Sequence, residues 1–245
     1  MKRQSLSDLR GCNGRTRGLR VFRGAPAPGA GLLLAFGLAL GVCGALGGCV
    51  LAPLLRSSEL EGSHQVEAKY SGLTGKSFAV IVSVDRMTQA DFPELVAQLT
   101  TTISERLAKN CDASGWVPPE TVLSMQAGNP RWSVMRLDEL CKELQVQRLV
   151  FVDVTEFRLV EPGNSYLWKA VAAGKVGVVE ADGAITDNFT FQEQVRAIFP
   201  LDERALGPAQ LPANIVQLKL AKKFIDRAAW LFYTHEEKNV ETDSD

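Results

Sequence analysis

Histidine is almost missing from this chain: two in 245 residues, His64 and His235. Neither lies in a segment with a sustained apolar period, so no imidazole general base and no histidine-bearing metal cluster can be placed in a folded core. There is no G-x-S-x-G element to present a serine nucleophile. Gly75-Lys76-Ser77 lacks the glycine that a phosphate loop needs five residues earlier, since Tyr70 stands there, and it precedes an apolar run instead of following one. These absences point away from an enzyme and from a bound nucleotide, metal or other cofactor. Asp153 is the most tempting carboxylate for acid/base work. It alternates with Val152 and Val154, however, and that pattern places it toward solvent or a helix N-terminus, so no catalytic residue is assigned.

Net positive charge is confined to one end. Residues 1–29 hold seven basic residues against one acid, Asp8, and 30–48 hold no charge at all. Of 27 basic and 28 acidic residues, removal of 1–48 leaves 20 and 27, a net charge near −7 with no run of Lys or Arg. Nucleic-acid binding rests on clustered cations that neutralise phosphates, and it is excluded on this ground. Electrostatic adhesion to anionic lipid is disfavoured for the same reason.

A basic segment, an uncharged apolar run and small residues at its end are the marks of an export signal. The run Ala30–Gly48 is 19 residues, close to the ~20 that span a bilayer, so an uncleaved anchor is the competing reading. The residues at the end of the run favour cleavage. Leu46-Gly47-Gly48-Cys49 matches the lipobox of bacterial lipoproteins: an aliphatic residue and two small ones for signal-peptidase recognition, then the thiol that takes the diacylglyceryl group. Cys43 is the poorer candidate, because Val42 would precede the cut. The expectation is a signal peptide over 1–48, lipidation (including palmitate) at Cys49, and attachment to the membrane through covalent lipid. Two or more acyl chains hold a protein durably where one does not. Val50, not Asp, comes after the cysteine, and this favours the periplasmic face of the outer membrane.

Of five cysteines, Cys12 and Cys43 leave with the leader and Cys49 is lipidated. Cys111 and Cys141 remain. A disulfide is one reading in an oxidising compartment; two separately buried thiols are the other.

Residues 49–72 show no period and read as a lipidated cysteine on a flexible tether. As a coil its root-mean-square span is ~26 Å, with a limit of ~75–80 Å when taut. From 73 to 236 the pattern is that of one α+β domain. Phe78–Val84 reads as a buried strand. Asp91, three residues before Glu94, reads as the cap of a helix whose stripe is Phe92, Val96, Leu99, Ile103 and Leu107. Gly115–Pro119 is a short extended piece, leading into a turn or two of helix over 120–126. Ser133 caps a further helix with Leu137, Leu140, Cys141 and Leu144 inward, and Trp132 packs on Leu137 as a staple. Arg148–Val154 is a strand. Leu167–Val179 and a return strand ending at Phe199 form a hairpin about Asp182-Gly183, with Phe189, Phe191, Val195, Ala197 and Phe199 on one face. Leu218, Ala221, Ile225, Ala228 and Phe232 mark a closing helix. The acidic end, 237–245 and much of the stretch beyond Tyr233, reads as a disordered tail. The order is β-α-(β)-α-β-β-β-α, a mixed sheet with helices packed on it, its early strands parallel because helices cross between them. Trp132 and Trp168, at junctions of loop and element, are the candidate partner-binding residues, since Trp dominates interface hot spots; each is equally readable as core.

The succession of lipobox, polar tether, "FAVIVSV", helix, "WVPPETVL", "LDELCKELQVQRLVFVDV" and long hairpin resembles the penicillin-binding-protein-activator and curli-secretion-channel lipoproteins. The N-terminal domain of the Tol-system translocation protein is similar in layout. The resemblance covers Lys76 to Phe232. It implies a non-catalytic, lipid-anchored accessory or scaffold that binds another envelope protein in assembly or transport. A subunit of an oligomeric secretion or transport complex is the alternative, and an envelope hydrolase the third, disfavoured by the shortage of general bases.

Overall fold

The computed structural model describes residues 63–183, 186–201 and 206–238. The leader, the lipobox residues Leu46, Gly47 and Gly48, Cys49, the first part of the tether and the last seven residues lie outside the described residues.

β2 (Ser77–Val84) is the strand that organises the sheet, and Phe78 to Val82 are each fully buried. Alternate side chains of a strand point to opposite faces. A run of five buried residues therefore requires cover on both sides. β2 pairs in parallel with β3 (Gly115–Trp116) on one side and with β4 (Arg148–Glu161) on the other. β4 turns at Pro162-Gly163 into β5 (Asn164–Glu180), which pairs antiparallel with β6 (Phe191–Phe199). The order across the sheet is β3-β2-β4-β5-β6. The result is the α+β architecture with a mixed sheet that the sequence pattern predicts, parallel where helices cross over and antiparallel at the hairpins.

The first face carries Phe78, Val80, Val82, Val150, Val152, Val176, Val178, Val195 and Ala197. It is covered by α2 (Leu95–Asn110) and by α5 (Ala213–Ala229), which comes after β6. α2 buries Leu95, Leu99, Ile103 and Leu107, spaced by four and by four again to close one face of a 3.6-residue helix. Full burial of each such side chain contributes about 1.5–3 kcal/mol. Arg106 and Asp226 join α2 to α5 by an ion pair, and Lys222 reaches the same carboxylate from one turn earlier at 2.9 Å. The second face carries Ala79, Ile81, Leu149 and Val179. Val122 of α3 (Pro119–Gly128), with Leu140 and Cys141 of α4 (Leu137–Glu143), covers it.

Four local expectations are corrected. Asp91 caps nothing: it ends a separate short helix, α1 (Arg86–Asp91), whose cap is Asp85, accepting from the Met87 and Thr88 N–H groups at 2.8 and 3.0 Å. Ser133 sits inside a 3₁₀ turn (Trp132–Val134), and α4 starts after Arg136, with the Leu137 N–H capped from across the chain by Asp187 at 3.1 Å. Leu218 is 55% exposed; the buried stripe of α5 runs through Val216, Leu220, Ala221, Phe224 and Ile225 instead. A tight hairpin at Pro162-Gly163, with Gly163 at φ +86° where a side chain would be strained, joins two strands far longer than the patterns indicate.

The tether and tail assignments also change where they are described. Ser63–Val66 is β1, and it pairs antiparallel with β7 (His235–Lys238) in a two-stranded ribbon of its own. Neither segment has an apolar period, so only the long-range pairing makes them strands. No helix among the described residues is long and apolar enough to cross a membrane.

The near end of the sheet is held by a polar node. Arg148, 7% exposed, pairs with Asp182 and lies 3.6 Å from the Glu180 carboxylate; its Nε donates to the Gly72 carbonyl at 3.1 Å. Lys76 pairs with Asp182 at 2.7 Å, and the Tyr70 hydroxyl donates to Glu180 at 2.8 Å. One guanidinium thus joins the entering segment 70–76 to β4 and to the end of β5. Hydrogen bonds from Lys76, then from Arg148, hold the Asp182 carboxyl down at about 2, below its ordinary 3.8. A depressed carboxylate stabilises the fold above its unfolded value, and that contribution is lost as pH falls through the folded one. Wild type is expected to lose melting temperature between 3.8 and about 2, and Asp182→Asn to lose less over the same window, read by circular dichroism melts across pH. Arg148→Ala is expected to cost about 2–3 kcal/mol in urea unfolding, less than the ~3–5 of a fully buried pair because Glu180 and Asp182 keep some solvent.

Candidate functional site

The two faces of the sheet are covered unequally. On the second face α3, the 3₁₀ turn and α4 cover β2 and the near part of β4, while the β5–β6 half carries polar residues in register. Ser83 lies opposite Asp153, Asp153 opposite Lys175, and Lys175 opposite Gln194, a row that crosses four strands. Gln192, Gln194 and Arg196 continue that face on β6, all exposed. Asp153 thus lies in register with a lysine across the strand pair and not with a second carboxylate. Gln126 of α3 borders the row, donating to the Val82 carbonyl at 3.0 Å.

Where the covered part ends, three half-buried aromatic rings stand in a line. Trp132 lies 6.4 Å from Phe151, and Phe151 lies 6.1 Å from Phe189, both pairs tilted and within the spacing at which aromatic rings attract. The three come from different parts of the chain: the 3₁₀ turn, β4, and the segment before β6. Gly177 makes room for the third, because a side chain there would collide with the Phe189 ring. Asp187 fixes that segment to α4 by capping Leu137 and pairing with Arg136 at 3.2 Å. Val134, two residues after Trp132 in the same turn, is 77% exposed. An aromatic strip beside an open polar sheet face is suited to docking a protein surface, since Trp and its neighbours supply contact area at little rotameric cost and the polar row supplies hydrogen bonds.

Of the two tryptophans singled out in the sequence, only Trp132 belongs to this strip. Trp168 packs against the first core cluster, on the opposite face, and its indole N–H donates to the Leu211 carbonyl at 2.8 Å. Sequence reasoning misses Phe151, Phe189 and Val134. The odd-even alternation predicts that Phe189 shares a face with Phe191; β6 begins only at Phe191, and Phe189 packs on the second cluster while Phe191 packs on the first. The alternation on which that expectation rests does not extend past the strand's first paired residue.

Cys111 and Cys141 are both buried and unbonded. They belong to different clusters on opposite faces of the sheet, so the disulfide reading gives way to two separate thiols. Burial pushes each thiol up to about 11, which keeps both protonated and poor nucleophiles. Among the described residues no group of three or more His, Cys, Asp or Glu could hold a metal ion.

No protein-family model matches the sequence, and no curated protein sequence matches it. Solved structures with some likeness include the PelC dodecamer from Paraburkholderia phytofirmans (8% identity, TM-score 0.40, covering 70% of this chain and 97% of that one). Lipoprotein GNA1162 from Neisseria meningitidis gives 9% identity and a TM-score of 0.38 over 60% of this chain and 93% of its own. The LpoB C-terminal domain from Salmonella enterica gives 11% and 0.33 over 51% and 83%.

The packing separates the two tryptophans experimentally. Trp168→Ala removes a ring packed on the main core together with its hydrogen bond and is expected to destabilise by about 3 kcal/mol. Trp132→Ala is expected to cost less, since its ring is half covered like that of Trp168 but packs on the smaller cluster and without that hydrogen bond. Urea denaturation of the two variants measures both; a larger loss for Trp132→Ala would make it a core residue and leave the strip without its anchor.

Proposed function

We propose that this protein is a lipid-anchored accessory or scaffold of the bacterial cell envelope, non-catalytic, held at the periplasmic face of the outer membrane. In this reading it engages another envelope protein in assembly or transport. The observation that carries the proposal is Leu46-Gly47-Gly48-Cys49 at the end of an uncharged apolar run, behind seven basic residues. The rest is in keeping with it. The chain beyond Cys49 is acidic and carries no run of Lys or Arg, so covalent lipid does the anchoring in this reading. The strip Trp132–Phe151–Phe189, with Val134 exposed beside it, offers a partner a place to sit.

The test joins anchor and surface. The full chain is expressed in a two-membrane bacterium with an alkynyl palmitate analogue, and a photo-crosslinking residue is placed at Val134 or, as a control, at Leu218 on the outer side of α5. Label is expected on the wild type and none on Cys49→Ala. A discrete adduct is expected from Val134 and not from Leu218, and it is lost in both Trp132→Ala and Cys49→Ala. Label surviving Cys49→Ala would refute the anchor; an adduct indifferent to Trp132 would refute the surface. An adduct ladder of this chain with itself, in a ring-sized particle, would replace the accessory role by that of an oligomeric subunit.

A further inference from the structure

A cleft of about 170 Å³ lies between the outer edge of β6 and the β1–β7 ribbon. Its walls are Glu193 to Arg196 on one side, Val66, Glu67 and Lys69 on a second, and Arg227 and Trp230 at the end of α5, with His235 and Glu237 of the ribbon. At ~30 Å³ per water, that space holds a phosphate or carboxylate group with some solvent.

The charges in this cleft are unevenly used. Lys69 is paired with Glu193. Arg196 and Arg227 make no ion pair or hydrogen bond among the described residues, although both line the cleft. His235 is built in: its ring stacks on Trp230 with centroids 4.4 Å apart and planes 6° from parallel, and its side chain is 8% exposed. Its Nδ1 lies 3.2 Å from the Tyr233 carbonyl, which as an acceptor requires the proton on that nitrogen. Nε2 is then left buried with no hydrogen-bond partner, and the Glu237 carboxylate is 3.5 Å away. A buried polar atom without a hydrogen-bond partner is costly, and Arg196 and Arg227, which pair with none of the acids in the same lining, leave the cleft two cations that an oxyanion can engage.

We propose that this cleft is a binding site for a small oxyanion, a phosphate group in particular, held by Arg196 and Arg227, with His235 as the buried polar contact. Nε2 accepts from a phosphate hydroxyl, or donates to a bare oxygen when the ring is protonated. Glu67 and Glu237 line the same cleft and hold the affinity down. The lining has as many acids as fixed cations, so recognition comes from local pairing and not from a broad positive field. The inference stands apart from the lipid anchor and from the three aromatic rings, and it shares Arg196 with the polar face of β6 beside them.

Isothermal titration of the full chain in neutral detergent, at constant ionic strength, tests it with inorganic phosphate. Saturable binding near 1 mM is expected. Arg196→Gln and Arg227→Gln should each weaken it about tenfold, the loss of one charge-assisted hydrogen bond. Glu67→Gln should strengthen it, and Lys142→Gln, on α4, should leave it unchanged. Both arginines are exposed and unpaired, so melting temperatures should match wild type and keep folding out of the result. A monomeric short-chain phosphatidylglycerol serves as the second ligand. Tighter binding than phosphate assigns the site to a lipid headgroup; equal or weaker binding assigns it to free phosphate. Either order supports the site. No saturable heat up to about 10 mM, or binding that both arginine variants retain, overturns it.

Discussion

The constraint on which the rest of this structure depends is that β2 and the first half of β4 are buried on both faces. Parallel strands linked by crossing helices place cover above and below the sheet, and the near-continuous apolar runs Phe78–Val82 and Leu149–Val152 satisfy that requirement. Two separate cores result. One is large, under α2 and α5; the other is small, under α3 and α4. The difference in size leaves half of the second face wet, and that is where the polar row and the aromatic strip lie. The candidate surface is therefore a consequence of how the helices are distributed.

Polar interactions fix the frame that the apolar layers fill. Arg148 ties the entering segment to β4 and to the end of β5, and its partners are acids that keep contact with water, so the guanidinium is compensated without a fully dry charge pair. At the opposite end Asp85 caps α1, and from far along the chain Asp187 caps α4. The last of these couples the segment carrying Phe189 to the helix just beyond Trp132, so the aromatic strip and the capping of α4 form or fail together.

Much of this was legible in the residues. β-branched runs, helical stripes at intervals of three and four, and the odd-even pattern of β6 gave the element order and the mixed pairing, because each reports burial on a local period. The scarcity of histidine and the concentration of net positive charge in residues 1–29 are legible for an equally simple reason, since both are sums over the chain. Errors arose where a short signal had two outcomes. Asp85 and Asp91 both offer a carboxylate near a helix start, and only the structure shows that Asp85 caps the short α1, which ends at Asp91 before α2 begins at Leu95. His64 and His235 lie in segments without apolar period, and a strand made by pairing residues 63–66 with residues 235–238 leaves no local trace.

What the sequence determined by itself is therefore a basic first segment and an uncharged apolar run ending at Cys49, the acidic character of the chain beyond it, and an α+β chain of alternating elements. Each depends on neighbouring residues or on their sum. Tertiary structure alone decided which residues meet: that Cys111 and Cys141 stand on opposite faces, that Trp132 joins Phe151 and Phe189 while Trp168 does not, and that a ribbon closes beside β6 around His235. Those contacts join positions tens of residues apart or more. No period in the chain encodes a distance between side chains that only the packing of helices on a two-faced sheet brings together.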